Sequence, residues 1–329
     1  MSEFVFSCII PCSAKDAESQ NLKDLIASIK AQDFPQDKIE ILVITEGDSE
    51  QAKAIGIRKA KGEICAMFCA DNYIVSKNCF RFVNDVFRVN KLMTGLYFKR
   101  FAYNTIDNSL NRYFSLIGNN DPICFYLQKN DRKPYYNDNN YYDEFFTYFV
   151  FKDKVPSLGC NGFFYWTDSI KRADLDHYYP MDCAEDLRRL GESRYYRVNA
   201  AEIWHRTSDN LITFLIKRYK YARDLYSDRN DRRWKMLDTR EDYWRLLGFI
   251  IASLTLIEPL FISLRLFKRT RDWAAFWHWP VCFGFLITYG ILTLRNICTV
   301  LLSSRRLADL SRLGTVLSPC GIRQTKTSR

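Results

Sequence analysis

Along the first hundred residues the apolar positions switch between two periods. Residues 4–10 (FVFSCII) form a strand-like run that stops at Pro11, whereas in 21–32 Leu22, Leu25, Ile26 and Ile29 recur at helical spacing. Residues 39–45 (IEILVIT) predict a second strand, apolar enough throughout to be buried on both faces. A helix over 51–62, ended by Gly62, leads into a third strand that stops near Asp71 and Asn72. Strand, helix, strand, helix, strand at this spacing predicts a parallel sheet. Ligands of such sheets bind beyond the carboxyl ends of the strands, here residues 11–13, 45–48 and 69–72. Asp71 therefore falls on the ligand edge, although an aspartate there could also simply cap the helix predicted over 75–87.

Further along, 181–193 (MDCAEDLRRLGES) predicts an amphipathic helix opened by Glu185 and Asp186, where acids suit any first turn. Residues 117–146, rich in Asn, Tyr and Asp, predict a long loop, either a lid or a surface excursion, with Asp121 and Arg132 as possible ligand contacts. Past residue 246 the pattern becomes apolar. Residues 246–267 carry only Glu258 and Arg265 as charges and 276–294 carry none, and each is long enough for about 30 Å of hydrocarbon. Trp273, Trp277 and Trp279 suit an interface. A soluble helical subdomain is the alternative, favoured by Glu258 and Pro259 inside the first segment. If both segments cross, the loop bearing Lys268, Arg269 and Arg271 lies opposite the N-terminal sheet, against the positive-inside tendency; a hairpin dipping into one leaflet removes that conflict.

Charge and cysteine content narrow the function classes. The 329 residues hold 48 Lys and Arg against 38 Asp and Glu, a net +10 that suits an anionic partner. Residues 217–245 interleave basic side chains with Tyr219, Tyr221, Tyr226, Trp234, Tyr243 and Trp244; beside two apolar segments this suits an anionic membrane surface better than nucleic acid. Eleven scattered cysteines among apolar neighbours read as reduced thiols facing a cytosol. The four-residue spacings Cys8/Cys12 and Cys65/Cys69 lack the gap and the histidine of a zinc site. No signal peptide is expected, because the first apolar run is short and broken by Pro11.

Taken together, CIIPCSA (8–14), ILVITEGDSE (41–50), IGIRKAKGEICAMFCADN (55–72), GCNGFFYW (159–166) and AEDLRRLGES (184–193) resemble, in order, the motifs of family 2 glycosyltransferases of the GT-A fold. The resemblance covers about residues 4–206 and implies an α/β, Rossmann-like, mostly parallel sheet with flanking helices. It implies an inverting transfer from a nucleotide-diphosphate sugar, with a divalent metal (Mn2+ or Mg2+) on the diphosphate. Glu46 matches the acid that contacts the nucleotide, and Asp71 matches the last acid of the DxD motif and thus a metal ligand. Thr45, Cys69 and Ala14 depart from the usual acids and Asn. The resemblance further implies donor contacts at Pro11, Lys53, Gly159 and Asn161, with Arg58 and Lys61 near the phosphates unless they simply line a solvated helix face. Phe163, Phe164, Tyr165 and Trp166 offer apolar faces for a sugar, or plain core. Asp186 is the expected base, positioned by Glu185. His205 follows this motif at the place of a second metal ligand, whereas His177 and His278 have no such context.

The expected organisation is a GT-A domain over 1–210, a basic and aromatic interfacial segment over 211–245, two hydrophobic helices over 246–301, transmembrane or re-entrant, and a basic tail over 302–329. A membrane-associated enzyme with its catalytic domain facing the cytoplasm and a lipid-linked or glycolipid acceptor, such as a polyprenyl phosphate, follows from the apolar segments; no nucleic-acid partner is expected. A nucleotidyltransferase on a similar sheet and a non-catalytic membrane scaffold are the alternatives.

Overall fold

Strand β1 (Phe6–Pro11), helix α1 (Gln20–Lys30), β2 (Ile39–Ile44), α2 (Ser49–Lys59) and β3 (Ile64–Met67) follow one another as the two periods predict. The computed structural model describes residues 3–135, 146–159, 161–176, 178–200, 202–227 and 231–316. Ser19 opens α1 by accepting from the Leu22 amide, and Asp48 with Gln51 closes a capping box on α2. There follow β4 (Asn72–Ile74), α3 (Cys79–Val89), β5 (Gly95–Phe98), α4 (Ser109–Ile117) and α5 (Pro122–Tyr126). Next come β6 (Phe146–Val150), β7 (Phe163–Trp166), α6 (Thr167–Ile170), α7 (Pro180–Arg189), β8 (Arg194–Val198) and β9 (Ile203–His205). The chain then runs through α8 (Leu211–Ser227), α9 (Arg240–Thr255), α10 (Ile257–Thr270), a 3-10 turn (Trp273–Trp277) and α11 (His278–Val316).

Seven strands form one sheet in the order β2-β1-β3-β7-β5-β8-β6. β1 pairs in parallel with β2 and β3, and β5 with β8; β7 runs antiparallel to β3 and β5, and β6 to β8. The sheet is therefore mixed, with β2, β1, β3, β5 and β8 all pointing the same way. β2 lies at its edge, and only Ile39 and Ile44 at its two ends are buried, so the expectation of burial on both faces fails. One face carries α1 and α3, whose Leu25, Ile29, Phe80 and Phe87 pack on Phe6, Phe68 and Phe164. The opposite face carries α2 and α7, with Ile57, Ala184 and Leu187 over Ile9, Met67 and Tyr195.

A third core is wholly helical. Leu110, Phe114 and Ile117 of α4 and Ile123 of α5 meet Phe214 of α8, Phe249 of α9, Leu266 of α10 and Phe285 of α11. Packing thus crosses the boundary expected at residue 210. The apolar stretch 246–267 is not one helix: Leu256 takes a left-handed φ of 66°, and α10 leaves α9 at 82°. Pro259 then falls in the first turn of α10, where its missing N–H costs nothing. The loop after α10 returns to α4 and the segment before it. The Asp272 carboxylate accepts from Arg112 at 2.8 and 3.2 Å and from the Tyr103 hydroxyl, and Trp277 Nε1 donates to Ser109 Oγ at 2.9 Å. Of the two arrangements expected for the apolar segments, spanning or re-entrant, the α9–α10 bend is compatible with a broken span or a re-entrant loop.

Among the described residues, Trp273–Thr299 is the one stretch long and apolar enough by itself to cross a membrane, and a third of it is buried in the protein. An apolar ridge remains on the outside: Trp244, Leu247, Ile251 and Leu254 of α9, Ile257, Leu260, Phe261 and Leu264 of α10, and Ile287, Ile291 and Leu294 of α11 are exposed. Residues 136–145 of the expected lid, His177 and residues 317–329 of the basic tail lie outside the described residues.

Candidate active site

The chain reaches Asp71 through a tight turn after β3. The Asn72 amide donates to Cys69 O at 2.9 Å, and the Asn72 side chain accepts from the Cys69 amide at 3.0 Å. The strand resumes as β4, so Asp71 caps no helix; the residue at the start of α3 is Asn78. β4 pairs antiparallel with β9, and the register sets Asn72 opposite His205. His205 Nε2 thereby comes 3.4 Å from Asp71 Oδ2, with the imidazole 6% and the carboxylate 33% exposed. Phe101 packs against the His205 ring at 5.1 Å, and Thr207 Oγ1 lies 3.4 Å from its Nδ1. A carboxylate and an imidazole at this spacing could together hold a single divalent cation. Among the described residues no third His, Cys, Asp or Glu joins them. A hard cation there would complete its shell with phosphate oxygens and water.

Asp71 and His205 line a cavity of about 1020 Å³. On its polar side α2 contributes Ser49, Glu50 and Lys53, and the stretch before β7 contributes Gly159 and Asn161. Lys53 is no solvated surface residue: its ammonium is buried and paired with Glu50 at 2.9 Å. Arg58, by contrast, points to Asp176, and Lys61 is exposed. Asn161 is tied to the Asp71 turn, its Oδ1 accepting from Asn72 Nδ2 at 3.1 Å. Gly162 takes φ +73°, and a Cβ there would come within 2.3 Å of Ile203, so this glycine serves the contact with β9. Phe163, Phe164 and Tyr165 are buried in the sheet core, the second of the two readings open for them.

Other expected site residues stand apart. Pro11 and Glu46 are not in the cavity lining; the Glu46 carboxylate is exposed and lies 3.4 Å from Lys59. Helix α7 opens at Pro180, so Glu185 and Asp186 lie in its second half and Asp182 holds the first turn. Glu185 accepts from Arg188 at 2.7 and 2.8 Å and from Arg189 at 3.1 Å. Burial raises its pKa, and these hydrogen bonds outweigh burial and leave it low. Asp186 pairs with Arg233 at 2.8 Å, and burial leaves its pKa raised despite that arginine. Neither carboxylate lines the cavity.

The remaining wall includes Asp121 and Arg132, the two possible contacts expected in segment 117–146, together with Asp131. The expected loop holds one short helix, α5: Asp121 caps it by accepting from the Ile123 amide at 2.9 Å, and Pro122 occupies the first helical position, while the other residues of 118–134 are turns and irregular chain. Asp121-Pro122 is the local signal that could have found it. Arg132 is almost fully buried, with its guanidinium 4.0 Å from the centre of the Phe101 ring and its side chain beside Asp131 at 3.5 Å. Burial pushes the Asp131 carboxyl up in pKa, and Arg132 partly offsets this. Arg218 of α8 and Arg232, bound to Asp182 at 2.6 Å, add positive charge to the same cavity. Its far arm is apolar, walled by α9 and α11.

No protein-family profile and no curated protein matches the chain. Among solved structures it is similar to Staphylococcus aureus TarS residues 1–349, at 12% identity and a TM-score of 0.37, over 82% of this chain and 73% of that one. The complex of the same TarS fragment with UDP-GlcNAc matches at 15% identity and a TM-score of 0.37, over 85% of this chain and 79% of that one. The mannosyltransferase PcManGT from Pyrobaculum calidifontis, in complex with GDP-Man and Mn2+, matches at 12% identity and a TM-score of 0.43, over 92% of this chain and 80% of that one. These superpositions are loose, and the chemistry of the site rests on its own residues.

Proposed function

We propose that this chain is an inverting glycosyltransferase, moving a sugar from a nucleotide-diphosphate sugar to a lipid-linked acceptor at a membrane, with its catalytic half facing the cytosol. The observation that carries the reading is the meeting of Asp71 and His205, 3.4 Å apart, on the wall of a large cavity at the carboxyl ends of the strands. A divalent cation held by these two residues would supply charge neutralisation to a leaving diphosphate. Lys53 and Arg132 line the same cavity and orient an anionic donor, while the Asn72–Asn161 hydrogen bond fixes the turn that presents Asp71. The apolar ridge on α9, α10 and α11 supports a membrane location, and the nine described cysteines, all free thiols, suit a reducing compartment.

Thermal shift with UDP- and GDP-sugars, with and without Mn2+, tests the donor and the metal together, because a ligand of the native state raises Tm. Metal-dependent stabilisation is expected. Cys69 is half-buried on the cavity wall two residues before Asp71, and Cys69→Asp is expected to keep the fold and lower the Mn2+ concentration needed. A shift identical in Mn2+ and in EDTA would remove the metal from the reading, and no shift with any donor would favour a non-catalytic scaffold. Because Asp186 is held by Arg233 outside the cavity, Asp186→Asn is expected to change kcat by less than about tenfold; a loss of about 10²- to 10⁴-fold would restore it as the base.

A further inference from the structure

We infer that the chain carries a second binding site, for a saccharide, in a cavity at the edge of the sheet opposite Asp71 and His205. This site is independent of the transferase reading. The cavity has a volume of about 530 Å³, within the usual range for a small-molecule pocket. It is built at the amino ends of the parallel strands: Glu63 precedes β3, Thr94 precedes β5 and Arg194 opens β8, while Trp166 ends the antiparallel β7. Trp166 pairs with Ile64 at one end of β3, and Asp71 follows the other end, so at least the length of that strand, about 10 Å, separates the two sites. The two cavities share no lining residue.

Two buried polar atoms in this wall have no hydrogen-bond partner among the described residues, the donor Trp166 Nε1 and the acceptor Glu192 Oε2. Buried polar groups are otherwise almost always paired, and a ligand that both donates and accepts satisfies the two together. Hydroxyl groups do both. The charges of the wall favour the same ligand. Among the described residues Glu63, Asp168 and Glu192 are balanced by Lys91, Arg172 and Arg194, so an ion of either sign meets as much repulsion as attraction. Hydroxyls donate to the carboxylates and accept from the cations. Two of the carboxylates are already held in place, Glu63 by Arg88 at 2.7 Å and Glu192, through its other oxygen, by Arg172. Trp166 supplies apolar surface. It is half-buried, unlike the three aromatic residues before it, and Phe87 of α3 packs edge-to-face with its ring at 4.8 Å. The ammonium of the exposed Lys91 lies 5.1 Å from the ring centre. Such a solvent-exposed cation–π contact is weak, and the C–H face of a sugar ring can take its place.

Saturation-transfer NMR on the full chain in neutral detergent tests this, with the methyl glycosides of glucose, mannose and N-acetylglucosamine as probes and inorganic phosphate and acetate as ionic competitors. At least one glycoside is expected to bind at millimolar concentration, with saturation strongest on its ring C–H protons and unchanged by a saturating UDP- or GDP-sugar. Trp166→Phe keeps an aromatic ring beside Phe87 and removes the N–H, and Asp168→Ala removes an exposed carboxylate from the first turn of α6. Each is expected to weaken that glycoside at least fivefold while the circular dichroism spectrum stays that of the parent; should Trp166→Phe fail to fold, Asp168→Ala decides. No glycoside bound at that concentration, or one bound equally well by the variants, would overturn the saccharide site and leave the transferase reading standing. Displacement of the glycoside by a nucleotide sugar would overturn it in favour of the Asp71 cavity. Tighter binding of phosphate or acetate than of any glycoside would overturn it in favour of an anion site.

Discussion

An Asp71→Ala chain is expected to fold normally and to lose about 10³-fold in kcat with any nucleotide-sugar donor, the scale of several kcal/mol of charge stabilisation by a bound cation. The fold should survive because the turn does not depend on the carboxylate. Asn72 holds the Cys69 amide, and the Asp71 contribution to β-structure is its carbonyl, which accepts from the Arg206 amide at 2.9 Å. The side chain itself makes only long contacts, 3.4 Å to His205 and 3.4 Å to Asn72 Nδ2. Turnover and a Mn2+ titration on the same protein separate the effects: the variant should lose its metal dependence, not only its rate. His205→Ala should act in the same direction and less strongly, since an imidazole ligand, unlike a carboxylate, brings no negative charge to a cation. A variant at Asp71 that kept both its rate and its Mn2+ dependence would end the metal assignment.

Lys129→Met is expected to destabilise the protein by about 3 kcal/mol without touching the donor site. Lys129 Nζ lies 2.8 Å from Asp242 Oδ1, and the two side chains are 9% and 5% exposed. They join the turn after α5 to the first turn of α9, where Asp242 also accepts from the Asp238 and Thr239 amides at 2.9 Å. Removing the ammonium strands a buried carboxylate, with only Lys154 at 3.7 Å as a remote counter-charge. Burial raises the Asp242 pKa, but the bond from Lys129 and those two amides prevail and hold it well below the usual carboxylate range. A depressed pKa of this kind stabilises the fold above the unfolded value of about 4 and loses that stability as the pH falls below it. Urea unfolding followed from pH 7 to 3 should therefore show a flatter acid limb in Lys129→Met, and Asp242→Asn on top of it should recover most of the loss. Equal stability of Lys129→Met and the parent at pH 7 would contradict the account.

The half of the site that depends on local periodicity was legible. The strand ends that carry Cys69 to Asn72 follow from alternating β and α patterns, and the motif resemblance pointed to Asp71 and His205 together. The contact between them was not legible from the pattern, because β4 and β9 are three residues each, too short to show a period, and their register is a long-range property. Continuous apolar runs misled in both directions. IEILVI reads as a doubly buried strand and forms an edge, while FFYW, which reads equally as a sugar surface or as core, occupies the middle of the sheet. Segment 246–267 has the length and composition of a span, and its break rests on one non-glycine residue in a left-handed conformation, which composition does not reveal. Glu258-Pro259 was the visible clue. Asp121 and Arg132 were visible as possible contacts, but Asp131 beside them and the short capped helix α5 were hidden by a loop-like composition.

The shared helical core has a consequence for how the chain is made. Leu110, Phe114 and Ile123 are covered only when Phe249, Leu266 and Phe285 reach them. At about 5–20 residues per second, the first group leaves the ribosome roughly 10–35 s before the last. During that interval the sheet can close through β8, but α4 and α5 present apolar faces with nothing of their own to cover them. The unfinished protein therefore has to be sheltered, by a chaperone or by an early approach to lipid, until its final helices are synthesised.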